Sequence, residues 1–278
     1  MITIRTLAEL VTQRASWPED VGFVPTMGGL HEGHMALIRR AREDHDVVVA
    51  SVYVNPLQFG PQEDFAAYPR TEDADCAKLA QASADAVLLP SDAVIYPRGR
   101  ERQTQVHVPG LSEDLCGRRR PGHFKGVTTV VARLLGLVRP RACYMGKKDY
   151  QQWRIVMRMV EDLGLATTIV GVDTVRENDG LALSTRNTYL TPAERSRAPG
   201  LYETLTEGAG QVVAGAVLTD VEAACMGRLK ALGFAPDYVA VRCADDLSVP
   251  SATDSDLVIL AAAHLGRTRL IDNREFRR

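Results

Sequence analysis

The segment Pro25 to His34 reads P-T-M-G-G-L-H-E-G-H and gathers more chemically capable groups than any other stretch of the chain. A short apolar run, Val21 to Thr26, ends where it begins. Helical spacing of Met35, Leu37, Ile38 and Ala41 follows it, over Gly33 to Asp44. Gly28, Gly29 and Gly33 let a backbone approach a ligand closely. The helix start offers N–H groups that favour phosphate. His31 and His34 are three residues apart, so they share one side of a helical turn and can donate to phosphate oxygens without a metal. The plainer alternative is a glycine turn carrying two surface histidines.

A loop of this kind needs rigid elements behind it. Val47 to Val54 is almost continuously apolar and β-branched, as in a strand buried on both faces. Further strands are expected at Ala86 to Leu89, Ala142 to Met145 and Thr168 to Val172. Helices are expected over Thr71 to Ala84, Val127 to Val138 and Tyr150 to Leu163. Strands alternating with helices imply a parallel sheet covered on both faces. Beyond residue 176 the texture changes. Thr191-Pro192-Ala193-Glu194 has the form of a capped helix start. Two helices, Pro199 to Ala214 and Leu218 to Leu232, precede three strand candidates at Asp237 to Arg242, Leu257 to Ala263 and Arg267 to Ile271. The fold expected is α/β: a Rossmann-like parallel sheet as N-terminal domain (1–176) and a smaller α+β C-terminal domain (177–278) acting as a lid. The site should lie at the C-terminal ends of the parallel strands.

Composition narrows the partners. The chain has 278 residues, 45% hydrophobic and 24% charged, with a formal net charge of −2. That balance argues against a nucleic-acid surface, and Arg118-Arg119-Arg120 reads as a solvated or substrate-facing loop. The five cysteines are odd in number and scattered, the pattern of free thiols in a reducing compartment. Met1 to Leu10 lacks the apolar core of a secretory signal, and no apolar run is long enough to span a bilayer. A cytoplasmic location without membrane contact is expected. Trp17 and Trp153 read as packing residues, Glu63-Asp64 as a solvated pair, and Asp73 and Asp75 as charges at a helix N-terminus.

The longer strings carry a resemblance. P-T-M-G-x-L-H-x-G-H resembles the phosphate-binding signature of the nucleotidyltransferase superfamily, and in this full form that of the pantoate–β-alanine ligases. V-N-P-L-Q-F (54–59), A-Y-P-R-T (67–71), R-P-G-H-F-K-G-V (120–127), G-K-K-D-Y-Q-Q (146–152), D-G-L-A-L-S-T-R-N (179–187) and L-I-D-N (270–273) are similar to segments of that family, in order and spacing. The resemblance implies that ATP adenylates the pantoate carboxylate, releasing pyrophosphate, and that the amine of β-alanine then displaces AMP. It implies catalytic roles for His34, His31 and Lys148, with His34 at the proton-donor position. ATP would be held by Thr26, Met27, Gly28, Gly29, Leu30, His31, Glu32, Gly33 and His34, by Gly146, Lys147, Lys148 and Asp149, and by Val175, Leu183, Ser184, Thr185 and Arg186. Val175 would offer backbone groups to adenine. Pantoate and β-alanine would be held by Gln58 and Gln152, with Asn55 shaping the loop and Arg120 and His123 lining the cleft. Asp149 would stand near Mg²⁺, and a homodimer is implied.

Three departures stand out. Lys147 occupies a position usually filled by glutamate, where it would either tighten ATP or face solvent. Thr185 replaces a serine, and Cys143-Tyr144-Met145 replaces more aromatic residues. Rival readings are another nucleotidyltransferase of this fold, a tRNA-charging synthetase, or a catalytically silent binding protein. The first explains the histidines but not Gln58 and Gln152.

Overall fold

In the computed structural model, which describes residues 1–61 and 63–278, the first sheet is wholly parallel. Its strands are β1 (Ile2–Ile4), β2 (Val21–Thr26), β3 (Val47–Val52), β4 (Ala86–Leu88), β5 (Ala142–Gly146) and β6 (Thr168–Val172), in spatial order β1-β4-β3-β2-β5-β6. Successive side chains alternate between faces, so the apolar runs supply two cores. Val24, Val48, Ala50, Val87 and Tyr144 pack with Ile38 and Ala41 of α2 (Glu32–Asp44) and Leu79 of α3 (Glu72–Gln81). Phe23, Val49, Leu88, Cys143 and Met145 face the opposite layer. There lie α1 (Leu7–Ser16), α6 (His123–Val138) and α7 (Tyr150–Asp162), represented by Leu10, Leu134 and Val156. Each fully buried aliphatic side chain contributes about 1.5–3 kcal/mol. Two single-turn helices, α4 (Asp92–Ile95) and α5 (Cys116–Arg119), interrupt the long β4–α6 connection.

This topology creates the crevice. From β2 the chain steps outward through β3 and β4, then returns to lay β5 against the other side of β2, with Phe23 opposite Cys143. Ligands bind in such sheets at this switch point, outside the carboxyl ends of the strands. β2 ends at Thr26 and β5 at Gly146, so the histidine loop and the G-K-K-D turn emerge side by side.

The second sheet is antiparallel: β7 (Ala235–Cys243), β8 (Asp256–Leu265) and β9 (Thr268–Arg277) in sequential order. After α8 (Pro192–Arg197), α9 (Gly200–Val213) and α10 (Leu218–Ala231) cover one face, where Leu205, Val221 and Leu229 meet Val241 and Ile259. From the other face, Ala240, Val258 and Leu260 join the core beneath the parallel sheet.

Thr191 caps α8 with Glu194 as the sequence suggests. Elsewhere the boundaries move. Neither β1 nor α1 is evident in the sequence pattern; Ile2–Ile4 is held by parallel pairing to Ala86–Leu88, and α1 by a Thr6–Glu9 capping box. Helix α6 starts four residues before Val127, because Gly122 takes the left-handed turn (φ 82°) that redirects the chain into it. Strand β9 continues to Arg277 past its apolar part, paired through Asp256↔Arg277.

Candidate active site

The histidine loop is locked from within. Gly28 and Gly29 adopt left-handed φ of 83° and 61°, which glycine tolerates without strain. The N-cap of α2 is His31, whose ring Nδ1 accepts the Gly33 N–H at 3.1 Å. His34 Nδ1 accepts the His31 N–H at 3.2 Å, completing a capping box made from two imidazoles. An accepting Nδ1 places the proton on Nε2 in both rings. Neither Nε2 has a protein partner among the described residues, and both rings line the cleft, with centroids 4.1 Å apart. Burial pushes the His31 pKa down to about 4, helped by Lys148. Burial, His31 and Lys148 push His34 down to about 3. Both rings are therefore neutral N–H donors at physiological pH.

The glycine amides serve a different end from the one read in the sequence. Gly29 N–H donates to Asp75 Oδ2 at 2.9 Å and Leu30 N–H to Oδ1 at 2.8 Å. Thr71 also donates to Oδ2, at 3.1 Å. Asp75, read in the sequence as a charge at a helix N-terminus, does lie in the first turn of α3, but it is completely buried. Its partners are backbone groups 45 and 46 positions away, which no local pattern reveals.

Across the cleft, the 3₁₀ turn Pro56–Gln58 presents Gln58. Buried Asn55 shapes this turn: its Nδ2 donates to Gln58 Oε1 (3.0 Å) and to Gly126 O (3.1 Å), and its Oδ1 accepts from Tyr96 (2.6 Å). Gln152 lines the pocket, and among the described residues its side-chain amide has no hydrogen-bond partner. Its neighbour Gln151 instead tethers the 111–116 loop through Leu111 O, Asp114 O and Cys116 N.

A second 3₁₀ turn, Lys147–Asp149, carries Lys148 and Asp149 into the site. Asn273 Nδ2 pins this turn by donating to both Lys147 O (2.8 Å) and Lys148 O (3.0 Å). The neighbouring Asp272 is held by a buried bidentate pair with Arg176 (2.7 and 2.8 Å). The Asp149 side chain is about half open (49%), and that opening is into the cleft. Partial burial pushes its pKa up, but Lys148, Arg186, His123 and Arg120 outweigh that, and the carboxyl sits below its ordinary range. Lys147 turns away, pairing with Glu275 (3.0 Å) and Asp173 (3.1 Å).

The loop after β6 closes the site. Thr185 donates to Gly29 O at 3.1 Å. Arg186 makes a bidentate pair with Asp64 (2.8 and 3.0 Å). Arg120 pairs with Glu63, and its Nη1 lies 3.0 Å from His123 Nε2. Glu63 and Asp64 therefore brace the site arginines instead of being solvated. His123 Nδ1–H donates to Gln58 O at 2.7 Å; burial and Arg120 push this ring's pKa down to about 4.

One pocket of about 220 Å³ brings together Thr26, Met27, His31, Gly33, His34, Asn55, Gln58, Gly146, Lys148, Asp149 and Gln152. Val175, Leu183, Ser184, Thr185 and Arg186 complete its far wall. The Val175 carbonyl is already engaged by Leu183 N–H at 3.0 Å, so it is less available than expected. A chamber of about 960 Å³ adjoins it between the two sheets, sharing Lys148, Asp149, Ser184 and Arg186 and adding Arg120 and His123. Gly28, Gly29, Leu30, Glu32 and Lys147 do not line either space. Leu30 is buried in the α2–α3 core, and Glu32 pairs with Arg39 at the surface. Tyr68 lines the pocket, yet the A-Y-P-R-T string gave it no role.

Neutral imidazole donors, a lysine and an arginine converge at the switch point of a parallel sheet, opposite two amides. This is the architecture of an α/β enzyme that works on phosphate and carboxylate groups. The family profile described as Pantoate-beta-alanine ligase matches residues 2–275. The pantothenate synthetase of Shewanella loihica is 49% identical over 281 residues, covering 100% of both chains. That of Methylococcus capsulatus is 50% identical over 277 residues, covering 98% of this chain and 97% of its own. The crystal structure of pantothenate synthetase from Thermus thermophilus superposes with a TM-score of 0.92 at 46% identity over 99% of each chain. The Francisella tularensis pantoate-beta-alanine ligase, solved with beta-gamma ATP and beta-alanine, gives 0.83 at 32% identity, covering 99% and 97%. The chain belongs to the pantoate–β-alanine ligase family.

Proposed function

We propose that the chain carries out its family's reaction, ATP-dependent joining of pantoate to β-alanine, through a pantoyl-adenylate formed between the histidine loop and the Gln58–Gln152 wall. The observation that carries this reading is the pairing of two Nε2–H donors, fixed by their own helix cap, with two amides across a cleft that also holds Lys148. Pantoate is a hydroxy acid. Neutral amides both donate and accept, so Gln58 and Gln152 suit its hydroxyl and carboxylate without burying another charge. Attack of the carboxylate on the α-phosphorus breaks the bond to pyrophosphate and builds negative charge on phosphoryl oxygens. His31, His34 and Lys148 are preorganised to meet that charge. Because burial keeps His34 neutral, it works as a hydrogen-bond donor and not as an imidazolium acid. Arg186 and Ser184 close over the triphosphate. In the second step the amine of β-alanine attacks the acyl carbon, AMP departs, and the amine proton passes to solvent.

Mg²⁺ fits as an ion carried by the nucleotide. Among the described residues no group of three His, Cys, Asp or Glu side chains is disposed to hold a metal. Of the two carboxylates that line the pocket, Asp173 is paired with Lys147, and Asp149 suits an ion that keeps phosphate and water ligands. When bound it would neutralise triphosphate charge, and Asp149 would orient it.

Among the described residues no helix is long and apolar enough to cross a membrane. All five cysteines are free, which supports a reducing cytoplasm. We place the domain division at residue 176 and the assembly as a homodimer, which sedimentation equilibrium checks.

The deciding assay is AMP release with pantoate and β-alanine omitted in turn. It should require both acids, and pyrophosphate should appear with pantoate alone. His34→Ala should lose about 10²–10³ in kcat, the loss typical of one oxyanion donor, with an unchanged circular dichroism spectrum. Near-normal turnover would end the role given to His34.

A further inference from the structure

We propose that Asp75 is a positioning residue for ATP: it fills the glycine turn with the protein's own carboxylate and so fixes both the histidine pair and the seat of the closing loop. The inference rests on the reading that His31 and His34 face the ATP phosphates. A left-handed glycine turn aims successive N–H groups to one side, a geometry that ordinarily holds an anion. Here that anion is Asp75, which accepts from Gly29, Leu30 and Thr71 with no exposure to solvent. One turn further along α3, Lys78 donates to Leu30 O at 2.6 Å. Both the N–H and the C=O of Leu30 are thus gripped by the same helix face, immediately before the His31 cap.

Two consequences follow. The amides of Gly29 and Leu30 are occupied, so the phosphates are left to side chains: His31, His34 and Lys148, with Ser184 and Arg186 of the closing loop. Gly29 is also held at both ends, since its carbonyl accepts from Thr185. The Thr185 methyl would come within 2.6 Å of any Cβ at position 29, so it lies against the bare glycine. Asp75 therefore sets the surface on which Ser184–Arg186 comes to rest. A carboxylate is required because it is all acceptor. In Asp75→Asn one backbone N–H would face an amide NH₂, donor against donor, with almost no change in volume.

The test is steady-state kinetics on Asp75→Asn, on Asp73→Asn as an exposed neighbour on the same helical turn, and on His34→Ala. Assays run below the melting temperature measured for each variant. Asp75→Asn should raise KM for ATP and lower kcat, each by about tenfold or more, as when a supporting shell loosens by a fraction of an ångström. Its KM for pantoate should stay within about twofold of the parent, because Gln58 and Gln152 stand on other elements. Asp73→Asn should behave as the parent. A purely structural Asp75 would lower the melting temperature and leave this ATP–pantoate split flat, which overturns the proposal. If Asp75→Asn does not fold, Lys78→Met carries the test: a rise in KM for ATP alone supports the proposal, and unchanged kinetics overturn it. Full activity in His34→Ala would instead sink the underlying placement of ATP.

Discussion

Gly126→Ala sets two physical effects against each other with opposite signs. Gly126 lies inside α6, and in a helix interior alanine is favoured over glycine by about 1 kcal/mol. Its added Cβ, however, would come 2.7 Å from Gln58 N and closer still to the Leu57 carbonyl, where about 3.4 Å is ordinary contact. The obstacles are backbone atoms, so no side chain can rotate away. Moving the Pro56–Gln58 turn by about 1 Å strains the buried bonds from Asn55 to Gly126 O and from His123 to Gln58 O. Overpacking of this kind costs about 1–3 kcal/mol, and one weakened buried hydrogen bond costs about 1–3 kcal/mol more. Less the helix gain, a net loss of about 1–5 kcal/mol follows, or a melting temperature lower by roughly 2–9 °C at this chain length. The same displacement misplaces Gln58 and should lower kcat/KM for pantoate by about 10²-fold. KM for ATP should change little. Thermal melts and initial rates against each substrate measure both effects. An alanine variant as stable as the parent, or more so, with unchanged pantoate kinetics would refute the packing argument and return Gly126 to helix propensity alone.

Acid should weaken the fold before most carboxylates titrate. His31, His34 and His123 bind protons only near pH 3–4 when folded, because burial and neighbouring cations oppose their charge, but near pH 6.5 when unfolded. Below pH 6.5 the unfolded chain binds more protons, so stability falls as pH drops from 6.5 toward 4. Allowing for partial exposure, the loss between pH 7.5 and 5.5 is about 2–4 kcal/mol. Urea midpoints at those two values check it, and equal midpoints would contradict the buried, neutral assignment. Lys147→Glu, which places the family's usual residue beside Glu275 and Asp173, should cost about 1–2 kcal/mol and be rescued by Glu275→Lys. A double-mutant cycle with no coupling would show that the Lys147 pairs contribute nothing.

What the sequence disclosed was local chemistry. The β2–α2 loop, the buried β3 run and the Gln58 and Gln152 strings depend on neighbours in the chain, and the structure brings those residues to one cleft. What it concealed depends on distance. Glu63 and Asp64 look like solvated acids and Asp75 like an ordinary helix N-terminal charge, because their partners Arg120, Arg186 and Gly29 lie 57, 122 and 46 positions away. Strand β9 hid its second half for the same reason: charged residues paired across a ladder carry no apolar signal. The histidines show a further limit. Capping and phosphate binding do not compete, because an imidazole has two nitrogens, and each ring here uses one for the cap and leaves the other for the cleft.

Lys147 and Lys148 carry that argument to its end. They are adjacent, identical in type and both within reach of phosphate by sequence position. A 3₁₀ turn rotates successive side chains by about 120°, so two neighbours cannot face the same way. The direction is then chosen by what waits outside. Glu275 and Asp173 hold the Lys147 ammonium in ion pairs outside the pocket lining, and Asn273 fixes both carbonyls so that Lys148 is left aimed inward. Residues close to the C-terminus thus decide which of two lysines reaches the cleft. Substitution of Asn273, far from the phosphates in sequence, should therefore disturb ATP use through Lys148 more than through Lys147.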